Sequence, residues 1–191
     1  MLAQALNFLF DVLFGLATLA FLLRFYLQLF GAPFHNPFSQ AVVALTSFAV
    51  RPLRRFVPSW GWLDTSTLLL AFLAQLLLWI AKLWVNDFPL LVADGQAYAG
   101  LGALALLGIV KTSIYIFLYA VLLQAILSWI NPHTPLAPIL YSLTKPLLQP
   151  LRGLMPLTGS IDLSPIIIFI LAELLLMLAI VPLEHQLMRL F

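Results

Sequence analysis

The chain has 191 residues, of which 63% are hydrophobic and 8% charged, where soluble domains carry about 45–50% and about 25%. With a mean hydropathy of +1.09, this excludes a soluble domain and leaves a small bundle of membrane helices. The lack of cysteine excludes disulfides, thiolate metal sites, cysteine nucleophiles and a lipoprotein anchor, and nine Lys and Arg at a net charge of +2 are too few and too scattered for a nucleic-acid stripe.

A first membrane span is predicted over residues 5–30. No basic residue precedes it and its apolar run far exceeds the roughly 7–15 residues of a signal-peptide core, so it is expected to stay uncleaved. Next comes a short module, residues 36–58. Phe38, Ala41, Val42, Leu45 and Phe48 recur at spacings of three and four, which make one apolar helix face. At about 12 residues this helix is too short to cross, so it lies in the interface or re-enters. Pro52 is expected to end it, because a proline loses a hydrogen bond and clashes inside a helix. Gly61 then allows a tight turn. The second span is predicted over 67–84, preceded by Asp64 and with Ser66 as N-cap.

The third span is placed at 109–130, the longer run from Leu101 being tilted or broken near Gly108. A second module follows at 134–156, its apolar face formed by Leu136, Ile139, Leu140, Leu143 and Leu147 and its end expected at Pro150. The fourth span is predicted over 165–182, preceded by Asp162, with Ser164 as N-cap and Pro165 at the first helical position. The fold class is all-α, a polytopic bundle of about four spans.

The two modules are copies of each other. At an offset of 98, Pro37 matches Pro135, Thr46 matches Thr144, and Pro52-Leu53-Arg54 matches Pro150-Leu151-Arg152. Pro58 matches Pro156, Gly61 matches Gly159, and Asp64 matches Asp162. The chain therefore divides into repeats 1–98 and 99–191. Each contains two spans, so the repeats are parallel rather than inverted. Arg51, Arg54, Arg55, Lys145 and Arg152 lie in the module loops, against Arg189 alone in the other loop and the two terminal segments outside the spans. By the positive-inside rule both modules are cytoplasmic and both termini outside.

At these residues the sequence resembles the YggT (YlmG) family of bacterial membrane proteins, over nearly its whole length. Asn36, Pro37, Phe38, Ser39, Gln40, Pro52, Leu53, Arg54, Arg55, Pro58, Gly61 and Asp64 carry the first copy of the pattern. Pro135, Pro146, Pro150, Arg152, Pro156, Gly159, Asp162, Ser164 and Pro165 carry the second. Phe48 departs from it where a proline is expected, and Gly153 where a second arginine is common. The resemblance implies a multi-pass protein of the bacterial inner membrane with no assigned catalysis and no cofactor. It also implies links to osmotic or envelope stress, cell division or cytochrome maturation.

Within the spans, charged side chains are costly and need a partner or a purpose. Arg24, Gln75, Gln124 and Glu173 fall in one layer, about 9–13 Å from the module side at about 1.5 Å per residue. An Arg24–Glu173 pair is expected there, with Gln75 and Gln124 as hydrogen-bonding neighbours. Asp11, Lys82 and Lys111 lie near the opposite face, where an Asp11–Lys111 contact would neutralise both. Asp64 and Asp162 either complement the helix N-termini or pair with Arg54 and Arg152 ten residues back. His35 and His133 also match, but interfacial histidines are usually solvated, so no metal or haem is assigned to them. Beyond the lipid bilayer, two readings of function compete. One is a non-enzymatic factor that docks other membrane proteins. The other is a small channel or transporter, acting alone or as a homo-oligomer.

Overall fold

A computed structural model describes residues 1–57, 59–61, 63–154 and 162–191. The described residues form six principal helices. They are α1 (Leu2–Leu29), α2 (Pro37–Leu53), α3 (Thr65–Val85), α4 (Gly95–Ile130), α5 (Ala137–Leu154) and α6 (Ser164–Met188). Among the described residues, α1, α3, α4 and α6 are long and apolar enough to cross a membrane. The shorter α2 and α5 follow α1 and α4 respectively, so the order long, short, long occurs twice.

Local chemistry sets the ends. Gly31 takes the left-handed conformation (φ 61°) that closes α1, and the Ala32 N–H returns to the Leu27 carbonyl at 2.9 Å. Asn36 caps α2, its Oδ1 accepting from the Phe38 N–H at 2.9 Å, with Pro37 in the first turn. Asp94 caps α4 in the same way through the Ala97 N–H. Gly61, at φ 61°, makes the turn that joins Trp60 to Leu63 by two backbone hydrogen bonds.

Several expectations are corrected. The third span does not break at Gly108: α4 is one helix of 36 residues, and Gly108 instead makes room for the Gln75 side chain on α3. A β-carbon there would lie 2.1 Å from Gln75 Oε1. Pro52 does not end α2, nor Pro150 α5. Pro52 lies in the last turn of α2, and α5 runs through both Pro146 and Pro150. These prolines are exposed, so the carbonyls they leave unpaired are not trapped in the core. The fourth span does not stop at Pro182. One π turn over Leu176–Ile180 precedes the proline, and helix resumes over Val181–Met188.

The capping assignments also change. Ser66 is not the N-cap of α3; it lies inside the first turn and its hydroxyl donates to the Val57 carbonyl at 2.6 Å. Ser164 is the first residue of α6 rather than its cap, and Asp162 Oδ1 accepts its backbone N–H at 3.0 Å.

The bundle packs in layers along its length. Leu27 of α1, Val42 of α2, Ala120 of α4 and Ile139, Leu140 and Leu143 of α5 form one buried cluster. Next to it, Phe21, Leu22, Val50, Ala71 and Ile116 join α1, α2, α3 and α4. At the opposite end, Trp79, Leu101 and Leu104 pack with Leu187 and Phe191, which ties the end of α6 to α3 and α4. The two short helices therefore sit together at one end of the bundle.

Candidate functional site

The short helices bury unequal faces. In α5, Ile139, Leu140 and Leu143 of the expected apolar stripe are buried, while Leu136 and Leu147 are exposed. In α2 the expected stripe is split: Phe38, Leu45 and Phe48 are exposed, Phe48 at 79%, while Val42 turns inward. Its buried face is Ser39, Val42, Thr46 and Val50. Lipid is as apolar as a protein core, so periodicity marks the apolar side of a membrane helix without saying which way it turns.

Each module is clamped by an ion pair across ten residues. Arg54 Nη2 is hydrogen-bonded to Asp64 Oδ2, and Nη2 also donates to Gln28 Oε1 at 3.3 Å. The Asp64 side chain is fully buried. In the second module, Arg152 donates from Nε and Nη2 to Asp162 Oδ2 at 2.8 and 2.6 Å, and both side chains are partly exposed. Partial burial pushes the Asp162 carboxyl up. The Ser164 hydroxyl and N–H, together with the Arg152 hydrogen bonds and charge, outweigh this and hold it below the usual carboxylate range.

A second tie links each short helix to the span before it. Arg24 Nη1 reaches into α2, donating to Thr46 Oγ1 at 2.9 Å, Ser47 Oγ at 3.2 Å and the Val43 carbonyl at 3.3 Å. In the second half, the Gln124 side chain is hydrogen-bonded to the Thr144 hydroxyl. The modules also touch each other, because Asn36 Nδ2 donates to the Pro135 carbonyl. Pro37, Pro52, Arg55, Pro135 and Pro150 are exposed around this assembly. Gly159, Pro58 and Pro156 lie outside the described residues.

Two expected pairs do not form. Arg24 spends its donors on α2, while Glu173 is exposed on α6 and joins none of the ion pairs among the described residues. Depth along the membrane normal placed them in one layer, but it does not give the direction in which each helix turns its side chain. Gln75 instead donates to Thr18 Oγ1 at 3.2 Å, joining α3 to α1. Asp11 pairs with Lys82 at 2.6 Å rather than with Lys111, and Lys111 pairs with Glu184 at 2.6 Å. Glu184 lies beyond the 165–182 span that the sequence predicts, on the continuation of α6 to Met188. Its signal was the continued helical pattern past Pro182, which a proline in the first turn of a helix permits.

His35 and His133 are both exposed, and among the described residues no group of three or more His, Asp or Glu is clustered for a metal ion.

With this geometry in view, the family comparison is decisive. The CCB3/YggT family model matches residues 3–85 and 103–183. The chain belongs to this family. It is 35% identical over 170 residues to the uncharacterized protein YggT of Escherichia coli K12, covering 88% of this chain and 85% of that one. It is 36% identical over 181 residues to an uncharacterized protein of Pseudomonas aeruginosa, covering 94% and 90%. A Vibrio alginolyticus relative, described as an uncharacterized protein in the proC 3' region, is 33% identical over 170 residues, covering 87% and 89%. No solved structure matches the chain. The CCB3/YggT match takes in Arg54 with Asp64, Arg152 with Asp162, and the Arg24 and Gln124 ties.

Proposed function

We propose that this CCB3/YggT protein is a non-enzymatic factor of the bacterial inner membrane that docks other membrane proteins on its two short helices, in support of assembly or envelope-stress response. The observation that carries the reading is the joined pair of modules. Asn36 bonds Pro135, and Val42 shares a buried cluster with Ile139 and Leu143. Each module is further clamped by its own Arg–Asp pair. Such a doubly tied assembly offers two helices in fixed relation, at little ordering cost to a partner.

The outward residues suit that role. Leu45, Phe48 and Tyr141 are exposed apolar or amphipathic groups, bordered by exposed Arg51, Arg55 and Lys145. On a helix at the membrane surface such a face meets lipid or a membrane partner, and in the docking reading its basic rim favours partners with acidic borders. The excess of basic residues on this side supports cytoplasmic modules with both termini outside. Against a conduit, Arg24, Gln75 and Gln124 are each engaged by a hydroxyl inside the protein.

Affinity capture from native membranes tests the proposal, comparing wild type with the double variant Arg54→Gln/Arg152→Gln. Docking predicts partners that are enriched with wild type and lost with the variant at equal membrane abundance. An unchanged partner set contradicts it, and recovery of the chain alone assigns the face to self-association instead.

A further inference from the structure

At the end of the bundle away from α2 and α5, helices α1, α3, α4 and α6 line an open-mouthed cavity of about 360 Å³. That is near the lower end of the 300–1,000 Å³ usual for ligand pockets, a size for a small polar molecule. Two ion pairs line it, each joining different helices. Asp11 of α1 meets Lys82 of α3, and Lys111 of α4 meets Glu184 of α6, both at 2.6 Å. Gln75, Trp79, Thr112 and Tyr115 are among the other residues that line it.

The charge arrangement selects the guest. The four ionised groups sum to zero, and a bare anion or cation could pair with one side only by stranding the other. Stranding one of these charges forfeits its ion pair, at most cost for Glu184 and Lys82, whose side chains are the least exposed of the four. A molecule with one ammonium and one anionic oxo group avoids that cost, because each displaced partner gains a new one. Lys82 has further support, since its ammonium lies 5.2 Å from the centre of the Trp79 ring. Gln75 offers an amide at the cavity wall, fixed by its bond to Thr18 and its seat over Gly108.

We propose that this cavity binds a small zwitterion carrying an ammonium and an anionic oxo group, either a free solute or the headgroup of a phospholipid. The anionic end meets Lys82 and Lys111, and the ammonium meets Asp11 and Glu184. This site is separate from the docking modules and does not depend on them.

The full chain in nanodiscs of phosphatidylglycerol, titrated calorimetrically with glycerophosphoethanolamine, tests the site. Saturable binding is expected, at least tenfold tighter than for glycerophosphate or ethanolamine alone. The double variant Lys111→Gln/Glu184→Gln, which keeps shape and removes one pair, is expected to lose at least tenfold in affinity. Repeating the titration in nanodiscs containing phosphatidylethanolamine separates the sources: loss of the signal assigns the site to the lipid headgroup, and an unchanged signal assigns it to a free solute. Absence of binding to wild type, or equal binding of either fragment that carries only one sign of charge, overturns the proposal. These wild-type comparisons decide it even where the variant does not fold, and an unchanged affinity in a folded variant overturns it too.

Discussion

Arg54 and Asp64 form an ion pair in which the carboxylate is fully buried while the guanidinium is 41% exposed. Its counterpart, Arg152 with Asp162, has both partners 40% exposed or more. The same two residue types at the same spacing therefore face different penalties when the arginine is removed. Arg54→Gln leaves a carboxylate without its charge partner inside the protein, a loss above the roughly 1 kcal/mol of an exposed pair. It falls short of the roughly 3–5 kcal/mol of a fully buried pair, because the arginine is itself half exposed. Arg152→Gln leaves a solvated carboxylate, a loss of up to about 1 kcal/mol. Unfolding of the two variants in mixed micelles against wild type measures the difference. Equal losses contradict it.

Because Asp162 is held below the usual carboxylate range, its pair contributes a pH-dependent share of stability. A carboxyl with a depressed folded-state pKa stabilises fully above its unfolded value of about 3.9. That share is lost as the pH falls through the folded-state pKa. Wild type is therefore expected to exceed Arg152→Gln in stability at pH 6, with the gap closing below about pH 4. Unfolding of both proteins across this pH range checks the sign, and a gap that widens in acid is the contrary result.

The tie from Arg24 to α2 is unsymmetrical between its ends. Thr46 and Ser47 also donate to their own helix carbonyls, at 2.7 and 2.5 Å, so they keep partners when Arg24 is replaced. Arg24 itself is buried, and its bonded acceptors in α2 are two hydroxyls and one carbonyl. Thr46→Val takes an acceptor from a buried cation and is expected to cost about 1–3 kcal/mol. Arg24→Met removes the cation with its three bonds to α2 and is expected to cost less than Thr46→Val, because no buried cation is then left short of an acceptor. Thermal stability of the two variants checks the order, and a Thr46→Val protein as stable as wild type breaks it.

Much of the fold is legible in the sequence because a membrane span is defined by length and apolarity, properties that need no knowledge of neighbours. What the sequence hides is azimuth. Phe38, Leu45 and Phe48 turn outward on α2 while Ile139, Leu140 and Leu143 turn inward on α5, yet both sets show the same spacing. Arg24 and Glu173 share a depth but not a direction, so their pair does not form. The ten-residue spacing of Arg54 and Asp64 is different, because a short connection limits how far the partners can stray, and the pairing stood among the readings available from the residues alone. Prolines misled for a further reason. Pro146 and Pro150 each remove one helix hydrogen bond wherever they stand, but both are exposed, so the helix runs on at a smaller cost than in a packed core.

The central claim is that α2 and α5 together present a protein-docking face. Photo-cross-linking from an unnatural residue placed singly at Phe48 and at Tyr141, both exposed, tests it most directly, with Leu13, exposed on α1 toward the other end, as the control. The account predicts that positions 48 and 141 capture the same protein in native membranes and that position 13 does not. Cross-links to lipid alone at positions 48 and 141 contradict it.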